Sequence, residues 1–381
     1  MDITVIREKF KELYNTSGRV YASPGRVNLI GEHTDYNMGF VLPGAIDKRI
    51  VAEIKPNGTK KCRAYSLDFN DSCEFEFGTK PDKSWALYIF GVVEEIRKKG
   101  LKIEGFDCVF GGDIPVGAGL SSSAALESTF AFGLNDWFDL NLSKFDIAKI
   151  GQMAEHNAVC VMCGIMDQFA SVFGEEGQLI KLDCRSLEYE LIPFHTPGYR
   201  VALIDTKVKH SLASSEYNLR RQECEKGVAI VKAHQANVES LRDVSLDMLN
   251  EYRSEMSDLT YRRCSYVIKE NQRLSEACEA LKQGDLETFG KRMYGSHEGL
   301  SKDYEVSCPE LDFLVEIAAK DGVTGARMMG GGFGGCTINV VEEGKYDAFI
   351  NEAWNTYTKK FQVEPQVYDV KISNGTRKIE E

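Results

Sequence analysis

Short apolar runs separated by turn residues dominate the first third of the chain. Residues rich in Val, Ile, Tyr and Phe stand between Gly, Pro, Asn and Asp, which mark turns. This pattern predicts β-strands at 19–22, 51–54, 63–66 and 74–77. Strands that follow one another through such connections favour an antiparallel sheet.

The apolar periodicity becomes helical after residue 120. Ala, Leu and aromatic residues at spacings of three and four predict helices at 121–138 and 144–158. Strand patterns return at 178–182 and 199–204. From 214 to 284 the chain is mostly helical and charged, which places a domain boundary near residue 200.

The last third alternates helix and strand patterns. The predicted order is helix 310–320, strand 325–329, a glycine turn, strand 336–341, helix 346–360 and strand 366–372. Such alternation is typical of an α+β domain. The sequence therefore predicts an α+β protein of two domains, residues 1–200 and residues 201–381.

Length and composition fit this division. The chain has 381 residues, about two domains at roughly 150 residues each. Hydrophobic residues make up 43% and charged residues 27%, which excludes disordered and collagen-like chains. No apolar run is long enough for a membrane span, and residues 1–13 do not resemble a signal peptide. We therefore expect a cytoplasmic protein with no membrane partner.

The net charge argues against another class of partner. Lys and Arg number 46 against 58 Asp and Glu, which gives a formal charge of −12. No basic patch interrupts this excess of negative charge, so we expect no nucleic-acid partner. The 11 cysteines follow no framework of spacings, and we expect them to be reduced thiols.

The stretch 115–127 combines glycines and serines at the start of a predicted helix. Backbone N–H groups in the first turn of a helix point at whatever precedes it, and glycines allow close approach. Phosphate oxygens suit such a site, although an ordinary Gly/Ser loop with a helix cap explains the local pattern equally well. No Walker loop occurs in the chain, so phosphate charge requires Mg²⁺ and another cation.

The stretch 25–39 collects polar side chains suited to sugar hydroxyls. Arg26 is followed by four consecutive hydrogen-bonding residues, Glu32, His33, Thr34 and Asp35. Two carboxylates, an imidazole and a hydroxyl supply many donors and acceptors but little fold-forming propensity. The alternative is a solvated polar turn.

The stretch 155–168 offers a candidate base. Asp167 stands among apolar residues, where an ionised carboxylate needs a cation or hydrogen-bond donors beside it. A structural salt bridge is the alternative. Cys160 and Cys163 form a Cys-x-x-Cys after His156, but no second matching pair supports zinc, and small buried thiols are favoured.

Residues 330–335 literally match the dinucleotide-binding pattern Gly-x-Gly-x-x-Gly. That pattern requires a following helix, whereas 336–341 is a predicted strand. The segment therefore predicts a turn between strands. Its glycines indicate backbone close to a ligand or to another segment.

Taken together, these stretches resemble the galactokinase family of the GHMP small-molecule kinases. Residues 26–37, 115–127, 163–171 and 325–336 stand in the order and approximate spacing of the family's motifs. Gly-Glu-His-Thr-Asp-Tyr at 31–36 distinguishes galactokinases from mevalonate or homoserine kinases. The resemblance implies an N-terminal domain of the ribosomal-S5-like type, a ferredoxin-like C-terminal domain and an active site between them.

The resemblance also implies a reaction. ATP phosphorylates α-D-galactose on its anomeric oxygen, with Mg²⁺ as cofactor, at the start of galactose catabolism by the Leloir pathway. In this scheme Asp167 accepts the anomeric proton, and Arg26 holds Asp167 ionised and stabilises the developing charge. We expect a monomer with galactose and ATP as its small-molecule substrates.

Further residues follow by motif position. The implied sugar contacts are Glu32, His33, Thr34, Asp35, Gly164 and Tyr217. The implied ATP contacts are Gly117, Ala118, Gly119, Leu120, Ser121, Ser122 and Ser123 at the phosphates, with Trp85 and Tyr88 near the nucleobase. The implied metal ligands are Ser123 and Glu155.

Two departures and two alternatives stay open. Met38 stands where the family usually has glycine, and Met162 stands where it often has proline. Both departures leave the local loop geometry open. A galactose- and ATP-binding sensor without turnover is one alternative function. A kinase for N-acetylgalactosamine or arabinose is the other.

Overall fold

The computed structural model describes residues 2–115, 117–194, 196–208 and 213–380, with the backbone alone at 213–215. The helices in these ranges are α1 (Ile3–Tyr14), α2 (Ala86–Lys98), α3 (Ser122–Phe138), α4 (Lys144–Ala154), α5 (Met166–Phe173), α6 (Ala213–His234), α7 (Leu246–Glu251), α8 (Asp258–Lys282), α9 (Leu286–Glu298), α10 (Pro309–Lys320) and α11 (Glu343–Phe361). The strands are β1 (Arg19–Asn28), β2 (Phe40–Val41), β3 (Pro43–Pro56), β4 (Lys61–Ser66), β5 (Asp71–Glu76), β6 (Phe106–Gly112), β7 (Gln178–Asp183), β8 (Tyr189–Pro193), β9 (Tyr199–Asp205), β10 (Gly325–Met328), β11 (Cys336–Glu342), β12 (Gln366–Val370) and β13 (Arg377–Ile379).

The first sheet has the strand order β13-β1-β3-β6-β4-β5. Alternate residues of β1 face opposite sides, so Val20 packs with α1 while Tyr21 joins the main core with α3. The expected antiparallel sheet needs one correction, because β4 and β6 pair in parallel. The connection from β5 to β6 runs through α2, and β6 therefore enters beside β4 in the same direction.

The second sheet has the order β10-β11-β9-β12, with every pair antiparallel. One face packs against α10 and α11, and the other joins the main core through Phe289 and Met293 of α9. The helices and strands predicted for the last third are confirmed, with ends shifted by a few residues. The glycine segment is a turn between two strands, as predicted.

Two local features differ from the predicted helices. The helix expected at 144–158 ends at Ala154 and continues as one π-helical turn, Glu155–Val159. Such turns project side chains in directions that a regular helix does not, and they are frequent at functional sites. Residues 3–14, which showed mixed charged and apolar positions, form α1 with Ile6 and Phe10 buried against the sheet. Within the described residues, every helix is too short or too polar to cross a bilayer.

The end of the chain is an exception to the division at residue 200, which otherwise stays a prediction. After β12 the chain returns to the first sheet, where β13 pairs with β1 as an edge strand. Thr376, just before β13, is buried. Its hydroxyl donates to the Ser171 carbonyl at 3.0 Å and lies 2.9 Å from the Ser23 hydroxyl. Buried hydrogen bonds therefore attach this segment to the first lobe, the part of the molecule that contains the first sheet. The second lobe is the part that contains the second sheet.

Replacing Thr376 with the near-isosteric valine should destabilise the protein. Thr376→Val leaves the buried Ser23 hydroxyl without this partner and removes one of the two hydrogen bonds that the Ser171 carbonyl accepts from residue 376, which costs about 1–3 kcal/mol of unfolding free energy. Urea denaturation followed by circular dichroism measures this difference. Thr79→Val, at an exposed position, serves as the matched control. Equal stabilities of the two variants would show that β13 is held by its backbone alone.

Candidate active site

A cavity of about 310 Å³ lies where the two lobes meet. Its walls come from β1, the loop after β1, the start of α3, the segment around the π-helical turn, the start of α6 and the turn between β10 and β11. The lining residues include Arg26, Glu32, His33, Asp35, Ser123, Glu155, Cys163, Gly164, Asp167, Tyr217, Gly330, Gly331 and Gly332. All three sequence clusters and the glycine turn therefore meet in one cavity.

Arg26 and Asp167 form a bidentate ion pair on the cavity wall. Arg26 Nε and Nη2 donate to the two Asp167 carboxylate oxygens at 2.9 and 3.0 Å. Arg26 is 5% exposed, while 29% of the Asp167 side chain is exposed. Burial disfavours the charged guanidinium, but the Asp167 carboxylate outweighs burial and raises the pKa of Arg26. Asp167 also lies in the first turn of α5, where the helix dipole favours negative charge.

The predicted phosphate loop is held on this ion pair. Arg26 Nη1 donates to the Gly119 carbonyl at 2.5 Å, and the Ser121 hydroxyl donates to Asp167. Gly25 passes so close to the loop that a Cβ there would lie 2.6 Å from the Leu120 carbonyl oxygen. Gly117 and Gly119 have positive φ angles of 81° and 73°. Of the seven predicted phosphate-binding residues, Ser123 lines the cavity.

Glu155 and Ser123 bring hard oxygen donors to the same wall. Burial and the negative charge of Asp167 raise the pKa of Glu155, although a hydrogen bond from Ser123 acts in the opposite direction. Hydroxyl and carboxylate oxygens suit Mg²⁺, which typically takes one or two carboxylates together with substrate phosphates. The described residues contain no cluster of three or more His, Cys, Asp or Glu side chains able to hold a metal ion.

Behind Glu155 lies a buried carboxylate that the sequence analysis did not single out. Glu127 Oε2 accepts a hydrogen bond from Gln168 Nε2 at 3.1 Å, and Glu127 Oε1 has no partner. Burial and the nearby Glu155 raise the pKa of Glu127. Its place in the apolar run of α3 was the available signal, because an acidic residue there must either be neutral or serve a site.

Glu32 and His33 bind the glycine turn of the second lobe. Glu32 Oε1 accepts hydrogen bonds from Arg327 Nη2 at 2.7 Å and from the Gly330 amide at 2.8 Å. His33 Nε2 lies 3.2 Å from the Gly331 carbonyl oxygen. These contacts couple the loop after β1 to the turn between β10 and β11.

Asp35 and Gly164 lie in direct contact on the cavity wall. A Cβ at Gly164 would lie 1.9 Å from Asp35 Oδ2, so only glycine fits. Burial raises the pKa of Asp35 to about 7, assisted by the charges of Asp167 and Glu32. Tyr217 closes this side, with its ring 5.2 Å from the ring of His33.

Three further predicted site residues, besides the six phosphate-loop residues before Ser123, lie outside the cavity lining. The Thr34 hydroxyl is fully buried and donates within its own loop, 2.9 Å from the Gly31 carbonyl and 2.5 Å from the Phe40 carbonyl. Trp85 packs on Phe110 in the first lobe. Burial and the nearby carboxylates of Glu155 and Glu127 raise the pKa of Tyr88 to about 12.

The expectation that Cys160 and Cys163 are small buried thiols is wrong. Cys160 is exposed and Cys163 is partly exposed, and both line the cavity. The π-helical turn ends at Cys160, which takes a positive φ of 64° and brings this segment to the surface. His156 Nε2 bonds the Cys163 carbonyl at 2.8 Å, so this ring nitrogen is engaged by the backbone.

Three family models match the chain. The galactokinase galactose-binding signature matches residues 8–56, the GHMP kinases N-terminal domain matches 87–175 and the GHMP kinases C-terminal domain matches 277–359. The first match contains Arg26 and the polar loop, and the second contains the phosphate loop and Asp167.

Curated relatives and solved structures agree with these models. Galactokinase of Thermosipho africanus is 45% identical over 361 residues, 94% of this chain and 99% of the relative. Galactokinase of Clostridium beijerinckii is 42% identical over 387 residues, 99% of each chain. The crystal structure of Lactococcus lactis galactokinase complexed with galactose has a TM-score of 0.95 at 34% identity, covering 99% of this chain and 100% of that chain.

A more distant structure has the same fold. Methanococcus jannaschii mevalonate kinase gives a TM-score of 0.67 at 18% identity, covering 94% of this chain and 99% of that one. The expected α+β fold with GHMP kinase N- and C-terminal domains is thereby confirmed. The chain belongs to the galactokinase family of the GHMP kinases.

Proposed function

We propose that this chain transfers the γ-phosphoryl group of ATP to the anomeric hydroxyl of α-D-galactose, giving α-D-galactose 1-phosphate and ADP. The observation that carries the proposal is the Arg26–Asp167 ion pair on the wall of the cavity that the polar loop 32–35 also lines. Phosphoryl transfer needs little from a protein beyond positioning and neutralisation of charge. This pair supplies a proton acceptor and a cation at one place.

Asp167 acts as the base in this scheme. Its carboxylate is partly exposed to the cavity, so a sugar hydroxyl can reach it, and Arg26 holds both of its oxygens. As the anomeric oxygen attacks phosphorus, its proton passes to Asp167 and negative charge develops towards the leaving ADP oxygen. The guanidinium of Arg26 stabilises that charge, since it is fixed in place by three hydrogen bonds before the substrates arrive.

The sugar lies against the polar loop and the glycine that faces it. Asp35, Glu32 and His33 offer donors and acceptors for hydroxyls, and Tyr217 offers a ring face. Because Gly164 has no side chain, its backbone packs directly against Asp35 and both residues line the cavity, which supports a role for Gly164 as a substrate contact. Thr34 acts through the loop, which it closes by hydrogen bonds to the backbone.

The nucleotide phosphates would bind at the start of α3, where Ser123 and Glu155 would hold Mg²⁺. The bound cation would neutralise the phosphate charge that a Walker lysine meets in other kinases. Gly117 to Ser122 supply backbone N–H groups at the N-terminus of α3. Trp85 and Tyr88 are proposed to lie near the nucleobase of ATP.

Release of ADP measured with four sugars tests the proposed substrate. Galactose, N-acetylgalactosamine, arabinose and glucose are each offered with ATP and Mg²⁺ in a coupled assay. Preferential turnover of galactose supports the proposal. Preferential turnover of another sugar replaces the substrate, and galactose binding without turnover by any sugar indicates a sensor.

A monomer acting in the cytoplasm also stays part of the proposal. The lining residues described above come from a single chain, which is compatible with an active monomer. Light scattering of the purified protein measures the oligomeric state directly.

Asp167→Asn should lower kcat by about 10²- to 10⁴-fold, the usual contribution of a general base. The amide cannot accept the proton, although it keeps the size of the carboxylate. Steady-state kinetics with galactose measures the loss, and circular dichroism checks the fold. Asp82→Asn, an exposed aspartate elsewhere in the first lobe, is the matched control. Near-normal turnover by folded Asp167→Asn would remove this residue as the base.

Ser123→Ala and Glu155→Gln should each raise the Mg²⁺ concentration that gives half-maximal activity, because each removes one oxygen ligand or its charge. Activity is titrated with Mg²⁺ at saturating ATP and galactose. Glu188→Gln, at an exposed site, should leave the titration unchanged. Unaltered titrations in both site variants would exclude the two residues from the metal site.

Asp35→Asn should change how stability depends on pH. Because the folded-state pKa of Asp35 is raised to about 7, its protonated form contributes stability that is lost as pH rises through that value. The variant has no such group, so its unfolding free energy should rise relative to wild type between about pH 4 and about pH 7 and stay level above that. Urea denaturation without substrates measures the difference. A difference that stays constant or falls with pH would contradict the assignment, and Asp82→Asn should give a constant one.

A further inference from the structure

His33 is held by two different atoms on opposite sides of its ring. Its Nδ1 lies 2.7 Å from the Tyr36 hydroxyl, and its Nε2 lies 3.2 Å from the Gly331 carbonyl oxygen. A carbonyl oxygen only accepts hydrogen bonds, so Nε2 must carry a proton. The remaining question is whether Nδ1 carries one as well.

The surroundings of His33 keep the ring neutral. Burial lowers the pKa of His33 to about 3, and the positive charges of Arg220 and Arg327 act in the same direction, against the bond to Gly331. A neutral ring with a proton on Nε2 has a lone pair on Nδ1. The Tyr36 hydroxyl therefore donates to Nδ1.

This donation fixes the direction of a longer chain of hydrogen bonds. Tyr36 has a single hydroxyl proton, so it must accept from the Tyr304 hydroxyl, which lies 2.8 Å away. Tyr304 in turn accepts from the Cys224 thiol, whose sulfur lies 3.2 Å from the hydroxyl oxygen. Burial raises the pKa of both tyrosines, so both hydroxyls keep their protons. This series of hydrogen bonds runs from Cys224 in the core of the second lobe to His33, which lines the cavity.

We propose that Tyr36, oriented by Tyr304, is a positioning residue for galactose binding that fixes His33 in the Nε2–H tautomer. Fixed in this way, His33 uses its single N–H to hold the Gly331 carbonyl, which fixes the glycine turn that lines the cavity. The inference rests on the proposed function, because this turn forms part of the wall against which the sugar is proposed to bind. It gives Tyr36 a role although Tyr36 is not among the cavity-lining residues.

The direction of the chain makes the two tyrosines unequal. Tyr36→Phe removes the donor to Nδ1, which leaves a buried acceptor unpaired or turns the ring into the tautomer that repels the Gly331 carbonyl. Tyr304→Phe removes a donor to Tyr36, but Tyr36 can still donate to His33. A purely structural role would not distinguish the two hydroxyls in this order.

Kinetics of three phenylalanine variants tests this inequality. Tyr36→Phe should raise the KM for galactose roughly 5- to 50-fold, with kcat changed less than about threefold and the KM for ATP nearly constant. Tyr304→Phe should raise the galactose KM less than about threefold. Tyr294→Phe is the matched control. Tyr294 lies on α9, outside the cavity lining, and its hydroxyl donates to the Val323 carbonyl at 2.9 Å. An unchanged galactose KM in Tyr36→Phe, or equal rises in Tyr36→Phe and Tyr304→Phe, would overturn the proposal.

The tautomer itself is measured without substrate. In ¹⁵N spectra of the wild-type protein, His33 should show a pyridine-like shift at Nδ1 and a pyrrole-like shift at Nε2 near neutral pH. With six histidines in the chain, the His33→Gln spectrum identifies the signal by its loss. Two pyrrole-like shifts, or a proton on Nδ1 alone, would overturn the inference even if Tyr36→Phe fails to fold. Wild-type turnover of galactose is measured first, so failure of the proposed reaction is recognised separately.

Discussion

A guanidinium group withdrawn from water must be neutralised where it lies, and Arg26 imposes this requirement on the centre of the molecule. Two segments meet the Arg26 guanidinium on β1: Asp167 at the start of α5 supplies the opposite charge, and the Gly119 carbonyl in the loop before α3 accepts a further hydrogen bond. The ion pair thereby fixes the base and the phosphate loop relative to each other. If one partner were lost, the other would be left as an uncompensated buried charge, so geometry and stability depend on the same contact.

The second lobe is attached to this centre through another buried arginine. Arg327 of β10 is fully buried and donates to the backbone carbonyls of Asn28 and Leu29 as well as to Glu32. The strand that carries Arg26 therefore ends in residues that bind the opposite lobe. Glu32 also accepts a hydrogen bond from the Gly330 amide, so this one side chain joins the loop after β1 to the glycine turn. Two of the groups that join the lobes, Glu32 and Gly330, therefore also line the cavity between them.

Much of this arrangement could be predicted from the sequence, because it is carried by local patterns. The glycine turn, the strands around it and the helix after the serine-rich loop follow from residue spacing, and Arg26 and Asp167 follow from the motifs. Other features depend on contacts between distant residues. The π-helical turn at Glu155 has no periodicity of its own, and Tyr304 reaches Tyr36 across 268 positions. Thr34 shows a further limit, because a polar residue in a binding motif can also serve the backbone of its own loop.

The return of β13 to the first sheet has a consequence for synthesis of the protein. A chain emerging from the ribosome exposes the outer edge of β1 until residues 377–379 are available to pair with it. During that interval the unpaired edge offers free N–H and C=O groups to other chains. A truncated chain that lacks residues 377–379 would keep that edge permanently open and would favour aggregation, although it contains the residues that line the cavity.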